Sequence, residues 1–357
     1  MRFHQLLVSE VERLTEDSVA IGFEVPPELR EEYRFAPGQH LTLRRDENGQ
    51  EVRRSYSICA SPGSGRLRVA VKMVEAGVFS SYANDGLQPG DVLDVMTPAG
   101  RFTTAVDPDR SRHYAAIAAG SGITPILSLV TAILEVESGS RVTLVYGNRR
   151  TSSIMFLEEL QDLKNVHSGR LHLINVLSRE VPEVELFHGR IDRDKLTRLF
   201  DTVLPPSTVD EWFLCGPFEM VLAARALLVE REVPESAIHL ELFHVEEAPR
   251  TRVERPVGQT ARPEDLSKVT VILGGRAASF DLERDTDAIL DAALAVRTDL
   301  PFACKGGVCG TCRSRLVSGE VEMERNYALE REEIDAGIVL ACQSRPLTPE
   351  VTIDFDV

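Results

Sequence analysis

Along the first hundred residues, short apolar runs alternate with turn-forming clusters at Pro37-Gly38-Gln39, Asn48-Gly49, Pro62-Gly63-Ser64-Gly65 and Pro89-Gly90-Asp91. Short strands at regular spacing predict an antiparallel β-barrel or sandwich, and residues 67–74 alternate with the period of a strand. From Tyr114 the pattern changes to continuous apolar runs, at 114–119, 142–146, 171–176 and 211–215, each followed by a helical segment. Strands buried on both faces and separated by helices predict an α/β doubly wound parallel sheet. Residues 246–268 carry Pro, Arg and Glu without apolar periodicity, the composition of an exposed tether. A third unit follows, with a strand over 269–273 and a helix over 288–297. These shifts divide the chain into a barrel over 1–106, an α/β domain over 107–245, a linker over 246–265 and a C-terminal domain over 266–357.

Charge narrows the class of partner. Forty basic against fifty-six acidic side chains give a net charge of −16, which repels phosphate backbones and anionic membranes, so no nucleic acid and no membrane are expected as partners. The N-terminus is broken by Ser9, Glu10 and Glu12, and no apolar run approaches the ~18 residues of a membrane span. A cytoplasmic location is expected. In a reducing compartment the six cysteines read as metal ligands, reactive thiols or core residues rather than disulfides.

Four of them form a pattern. Cys304, Cys309 and Cys312 lie in Cys304-Lys305-Gly306-Gly307-Val308-Cys309-Gly310-Thr311-Cys312, and Cys342 follows thirty residues later. The spacing C-x4-C-x2-C…C is that of a plant-type [2Fe–2S] cluster, in which three thiolates wrap one side and a distant fourth closes it. Interleaved glycines let the backbone approach and aim N–H groups at the sulfurs. Structural zinc, the alternative, more often uses two C-x2-C pairs.

Two further motifs sit at predicted strand ends. In Arg54-Ser55-Tyr56-Ser57 an arginine fork suits a phosphate, an aromatic plane suits a ring and a hydroxyl suits a ring nitrogen, although surface and packing roles fit the same residue types. In Ala119-Gly120-Ser121-Gly122-Ile123-Thr124-Pro125 a glycine turn opens a helix whose free N–H groups would hold a pyrophosphate. Pro125 replaces the third glycine of G-x-G-x-x-G, which argues against an ordinary Rossmann dehydrogenase. Cys215-Gly216-Pro217 lies at another strand-to-helix junction, and Arg149, Arg150 and Ser152 follow the strand at 142–146. Paired arginines and hydroxyls suit a 2′-phosphate, which favours NADPH over NADH. Cys59 and Trp212 read most simply as packed core residues.

Together these motifs resemble the ferredoxin–NADP reductase superfamily, and the order of flavin barrel, nicotinamide domain and C-terminal ferredoxin resembles its oxygenase-associated reductases. The segments 35–43, 53–59, 117–125 and 303–309 are similar to those of phenylacetyl-CoA epoxidase reductases, with 3-ketosteroid 9α-hydroxylase reductases as near relatives. The resemblance implies a β-grasp ferredoxin domain and FAD rather than FMN. It implies that Arg54 neutralises the flavin pyrophosphate, Tyr56 stacks on the ring and Ser57 bonds near its N5, with Gly77 and Ser80 downstream and Val71 and Lys72 lining the groove. It also implies that Gly120, Gly122 and Thr124 hold the nicotinamide nucleotide, and that Cys215 and Gly216 lie against the nicotinamide. Glu241, Phe243 and His244 end the second domain, where the resemblance allows Glu241 or Phe243 to touch the flavin and a plain strand end fits equally well. The implied activity is an NADPH-dependent reductase passing electrons through FAD and the cluster to a di-iron oxygenase, or to a Rieske-type oxygenase. Residues 266–357 carry ten basic and sixteen acidic side chains, a net of −6, so docking on a basic patch of the oxygenase is expected. A non-catalytic redox sensor or electron carrier is the competing reading, and the intact set of Arg54, Tyr56, Ser57 and Cys215 argues against it.

Overall fold

The structure is a computed structural model that describes residues 2–47, 49–243, 262, 265–284 and 286–357. The linker expected over 246–265 lies outside the described residues apart from Arg262 and Asp265, as does His244. The chain divides into two compact units, Met1–Phe243 and His244–Val357.

The first unit opens with six antiparallel strands, β1 (Phe3–Thr15), β2 (Ser18–Glu24), β3 (His40–Glu47), β4 (Gln50–Ser57), β5 (Leu67–Lys72) and β6 (Val92–Met96). Their order is β4-β3-β6-β1-β2-β5, and a bridge between Ile58 and Val69 joins the two edges into a barrel. Register shifts between Val8 and Glu10 and between Arg13 and Thr15 bend the long β1 around that curve. Alternation sends Leu6, Val8, Ile21, Leu41, Leu43, Val69, Val71 and Val95 inward as a fully buried core. The strand expected over 67–74 stops at Lys72, because Val74 turns into helix α1 (Val78–Asp85) and hydrogen-bonds Gly77 and Ser80 instead of a strand.

The same unit continues as a five-stranded parallel sheet of β7 (His113–Ala119), β8 (Arg141–Asn148), β9 (Leu171–Leu177), β10 (Glu211–Gly216) and β11 (Ile238–Leu242), in the order β11-β10-β7-β8-β9. Helices α2 (Ile123–Val136), α3 (Leu157–Val166), α4 (Arg193–Thr202) and α5 (Phe218–Glu230) provide the crossovers. Helix α2 is almost wholly apolar because both the sheet and the barrel cover it: Ser128 Oγ donates to the Ala60 carbonyl of the barrel side at 2.6 Å. Arg68 of β5 reaches Glu159 of α3 at 2.6 Å, and Phe102 packs edge-on against Phe213. Trp212 of β10 is fully buried, edge-on to Phe200 of α4 with ring centroids 5.2 Å apart.

The second unit is a mixed five-stranded sheet, β13-β12-β18-β14-β16, with a separate pair β15-β17. Its strands are β12 (Leu266–Leu273), β13 (Arg276–Glu283), β14 (Arg313–Ser318), β15 (Val321–Met323), β16 (Ile338–Leu340), β17 (Ser344–Pro346) and β18 (Glu350–Asp354), with helices α6 (Ile289–Leu294) and α7 (Arg331–Asp335). First and last strands pair in parallel, Val269 beside Val351, and Ile289, Leu290 and Ala293 seal one face. The helix expected over 288–297 is shorter: Val296 is exposed, and Arg297 turns away to bond the carbonyls of Leu273 and Arg276.

Candidate functional site

Strand β4 delivers the flavin motif to the barrel end. Arg54 is exposed and its Nη1 donates to the Arg53 carbonyl at 2.7 Å, which leaves most of its donor fork facing outward. Its neighbour Arg53 points the other way and is buried, paired with Glu51 at 2.6 Å. Tyr56 lies tilted against Phe79 of α1, centroids 5.5 Å apart, and burial raises its phenol pKa. Ser57 is buried, and its Oγ donates to Glu241 Oε2 at 3.1 Å.

Gly77 precedes α1 and has to be glycine: a Cβ there would meet Ser80 Oγ at 2.4 Å and the Val74 carbonyl at 3.0 Å. Ser80 is buried and shapes this turn, accepting from Val74 N at 3.1 Å and donating to the Gly77 carbonyl at 3.0 Å. The first N–H groups of α1 have no intrahelical acceptor. Val71, expected to line the groove, turns its side chain into the barrel core, where it is fully buried, and its carbonyl accepts from Asn84 Nδ2 at 3.3 Å. Lys72 emerges at the next position and is held by Asp17 at 3.2 Å.

The two nucleotide motifs meet at the carboxyl end of the parallel sheet. Gly120 has φ +54° and open space around it, and its carbonyl accepts from the Tyr146 hydroxyl at 3.0 Å. Gly122 packs so closely on the other motif that a Cβ would stand 2.2 Å from the Cys215 carbonyl oxygen. Thr124 Oγ1 donates to the Ser121 carbonyl at 3.0 Å and closes the first turn of α2. Cys215 and Glu241 are register partners on β10 and β11, with Gly216 beside Leu242. Burial, and secondarily the Glu241 carboxylate, hold the Cys215 thiol neutral. Phe243 follows β11, more than a third exposed. Arg149 and Ser152 lie at the tip beyond β8, Arg149 exposed and Ser152 likewise. The nearby Glu180 accepts from the Thr151 backbone N–H and hydroxyl, both at 2.8 Å.

Ser57, Cys215 and Glu241 thus converge from three strands where barrel and sheet join. Burial lifts the Glu241 carboxyl from the ordinary 4.5 to about 8, against the lowering effect of the Ser57 hydrogen bond. Burial thus favours the neutral carboxyl at pH 7, and the anion takes over as pH rises through about 8. Rates of flavin reduction by the nicotinamide are expected to fall as pH rises through 8, and Glu241→Gln to flatten that profile; a pH series of stopped-flow traces tests this. The linkage has the same sign: the proton held on folding favours the native state below pH 4.5, and that advantage fades as pH rises through 8.

In the second unit the four cysteines occupy the loop before β14 and the turn after β16. Cys304 and Cys309 are half-buried, while Cys312 and Cys342 are 3% and 4% exposed. Cys304 interacts with Cys309 and Cys312 with Cys342, so the thiols fall into two pairs. The Cys309 thiol pulls the Cys304 pKa down to about 6, and the Cys312 thiol likewise lowers that of Cys342. Among the described residues no three His, Cys, Asp or Glu side chains close on a single point. Two cysteine pairs suit two irons, whereas one zinc draws four ligands together. Gly306 N donates to Cys304 Sγ at 3.3 Å, as the interleaved glycines led us to expect. Gly307 and Gly310 take φ of +78° and +65°, and a Cβ on Gly307 would meet the Arg325 carbonyl at 3.1 Å.

Family comparisons match residues 5–104 as an oxidoreductase FAD-binding domain, 116–226 as an oxidoreductase NAD-binding domain and 271–347 as a 2Fe-2S iron-sulfur cluster binding domain. The chain is thus an oxidoreductase with FAD-, pyridine-nucleotide- and [2Fe–2S]-binding domains. It is 47% identical to one of the subunits of 1,2-phenylacetyl-CoA epoxidase from Escherichia coli K12, over 99% of this chain and 98% of that protein. It is 34% identical to the ferredoxin reductase component of 3-ketosteroid-9-alpha-monooxygenase of Rhodococcus rhodochrous, over 98% and 96%. Among solved structures, phthalate dioxygenase reductase, described as a modular structure for electron transfer from pyridine nucleotides to [2Fe-2S], shares the fold with a TM-score of 0.57 at 22% identity, over 99% of this chain and 98% of that one. The chain belongs to the family of oxygenase reductase components that takes in these epoxidase and ketosteroid monooxygenase proteins. No helix among the described residues is long and apolar enough to cross a membrane.

The sequence missed the bond from Ser57 to Glu241, 184 residues apart, and the placing of Glu180 against Thr151. No local pattern carries either. Cys59 and Trp212 are buried, as expected.

Proposed function

We propose that this chain is the NADPH-dependent reductase component of a phenylacetyl-CoA 1,2-epoxidase, delivering electrons from NADPH through FAD and a [2Fe–2S] cluster to a di-iron oxygenase in the cytoplasm. The carrying observation is the 47% identity over 99% of the chain, joined to the intact sets at each domain. When bound, the nucleotide supplies hydride, the flavin accepts two electrons and parts with them singly, and the cluster carries one at a time.

The residues divide the work by domain, which we take as 1–106 for FAD, 107–245 for nicotinamide and 266–357 for the cluster. Arg54 and the N-terminus of α1, held in shape by Gly77 and Ser80, bind the flavin pyrophosphate. Tyr56 provides a flat wall for the ring. Ser57, backed by the neutral carboxyl of Glu241, presents a polar contact at the junction with the sheet. Gly120, Gly122 and Thr124 shape the nucleotide phosphate site, while Cys215 and Gly216 offer a small neutral floor for the nicotinamide. Phe243 closes that end of the first unit. Cys304, Cys309, Cys312 and Cys342 hold the cluster, and the acidic surface of 266–357 engages a basic patch on the oxygenase, an attraction that salt weakens.

The arginine and hydroxyl at Arg149 and Ser152 support NADPH. The Glu180 carboxylate beside Thr151 favours NADH as a second reading, because an acidic group in such a site bonds ribose hydroxyls. Steady-state reduction of cytochrome c by the loaded protein decides: NADPH is expected to exceed NADH in kcat/KM, and Arg149→Ala to lower the NADPH value by about tenfold, roughly 1.4 kcal/mol, with NADH unchanged. Equal loss with both nucleotides would refute the 2′-phosphate role. Absence of turnover with either would favour the redox-sensor reading.

A further inference from the structure

The side chain of Arg68 leaves β5 and crosses to the start of α3. It is buried, with Nη2 on Glu12 of β1 at 2.5 Å and Nη1 on Glu159 of α3 at 2.6 Å. Its guanidinium also stands 5.3 Å from the centre of the Phe156 ring, within the range of a cation–π contact. Both carboxylates are more than a third exposed, so the ion pairs alone contribute little. What sets Arg68 apart is the conformation of the residue it faces. Phe156 is the N-cap of α3 and takes the left-handed φ of +59°, which a residue with a Cβ adopts only where its surroundings hold it. On the barrel side, the Arg68 carbonyl accepts from Cys59 N at 2.9 Å, just beyond Ser57. One residue therefore joins the end of the flavin motif to the start of α3.

Residues 149–156 connect β8 to α3. Arg149, Arg150, Thr151 and Ser152 at the tip are exposed, whereas Ile154, Met155 and Phe156 form a buried return. The tip thus has two anchors, the end of β8 and the turn at Phe156. Resting on the reading of Arg149 and Ser152 as 2′-phosphate ligands, we propose that Arg68 is a positioning residue for nucleotide selection: it holds Phe156 and Glu159, fixes the return of this loop, and keeps the tip where it grips a 2′-phosphate. NADH has no such phosphate and makes no use of the grip. Loosening the return therefore weakens the binding of NADPH alone. The 2′-phosphate is remote from the reacting atoms, so its grip is the same in the ground and transition states and its loss appears in KM rather than in kcat. The planar guanidinium is required because it meets two carboxylates at its edge and an aromatic ring with its face, which a compact ammonium does not reproduce.

The test is steady-state reduction of cytochrome c by the full-length, cofactor-loaded protein, with NADPH and NADH run side by side. Arg68→Met keeps the length of the side chain and suits a buried site while removing the fork. It is expected to raise KM for NADPH about fivefold, with kcat and the NADH kinetics held within about twofold of wild type. Glu159→Gln, at the more exposed end of the contact, is expected to shift the NADPH-to-NADH preference in the same direction by about twofold, and it carries the test if Arg68→Met does not fold. Arg68→Met combined with Arg149→Ala is expected to lower kcat/KM for NADPH by less than the product of the two single losses, because both act through one grip. Equal rises in KM for the two nucleotides would overturn the proposal by showing a structural role alone. So would a combined loss equal to that product, or unchanged NADPH kinetics in the Arg68→Met protein. Unchanged NADPH kinetics in Arg149→Ala would instead overturn the 2′-phosphate reading itself.

Discussion

Cys304→Ser is expected to abolish the cluster while leaving reduction of the flavin by NADPH intact. The serine hydroxyl is a poor anion and cannot replace a soft thiolate on iron. Loss of one direct ligand exceeds the ~10–100-fold in metal affinity that disturbing an outer contact costs. Cys304 belongs to a half-buried loop, and the apolar core around Val269, Leu290, Val351 and Ile353 does not include it, so the second unit should keep its sheet. The first unit has its own cores around the barrel and the parallel sheet, and neither involves residues beyond 243. Visible absorption, iron content and stopped-flow flavin reduction measure the outcome together. Electron delivery to the oxygenase should drop to background while flavin reduction stays within about twofold of wild type. Loss of both activities would show that the units depend on each other; retention of two irons would remove Cys304 from the ligand set.

Gly122→Ala is the second large effect, and it separates two reasons for a glycine. Gly120 has the left-handed φ of +54° but nothing within 4 Å of its would-be Cβ, so alanine there costs only conformational strain of about 1–2 kcal/mol. Gly122 has an ordinary helical φ of −60°, yet its Cβ would stand 2.2 Å from the Cys215 carbonyl oxygen and 2.8 Å from Gly216 N. Both are backbone atoms of a buried strand end and cannot swing aside. The two nucleotide motifs must separate, and the expected cost is about 2–4 kcal/mol of stability together with a rise of at least tenfold in KM for NADPH. Thermal unfolding and steady-state kinetics on Gly120→Ala and Gly122→Ala side by side test the contrast. Equal and small effects would mean that the motifs are not packed as described.

What was legible in the sequence was whatever a few adjacent residues decide. The cysteine loop is one such case, because metal chemistry fixes ligand spacing and glycine marks the turns. The apolar runs of β7, β8 and β10 are another, since a strand covered on both faces needs few polar positions. Val71 shows what a resemblance leaves out: alternation along β5 turns its side chain into the barrel core. Its neighbour Lys72 carries the polar face. The pairing of Ser57 with Glu241 was beyond reach for a different reason, because it depends on how a barrel and a parallel sheet pack, which no window of sequence encodes. The raised pKa of Glu241 follows from that packing, so its chemistry was hidden with its position.

The chain has one tryptophan, and Trp212 sits in the middle of the parallel sheet with its indole N–H buried and its ring against Phe200. Indole fluorescence therefore reports one layer of one domain. Melting of the β-grasp unit passes unseen at that wavelength, and the collapse of the nucleotide-binding sheet is read without interference, so a single optical channel splits an otherwise composite unfolding curve.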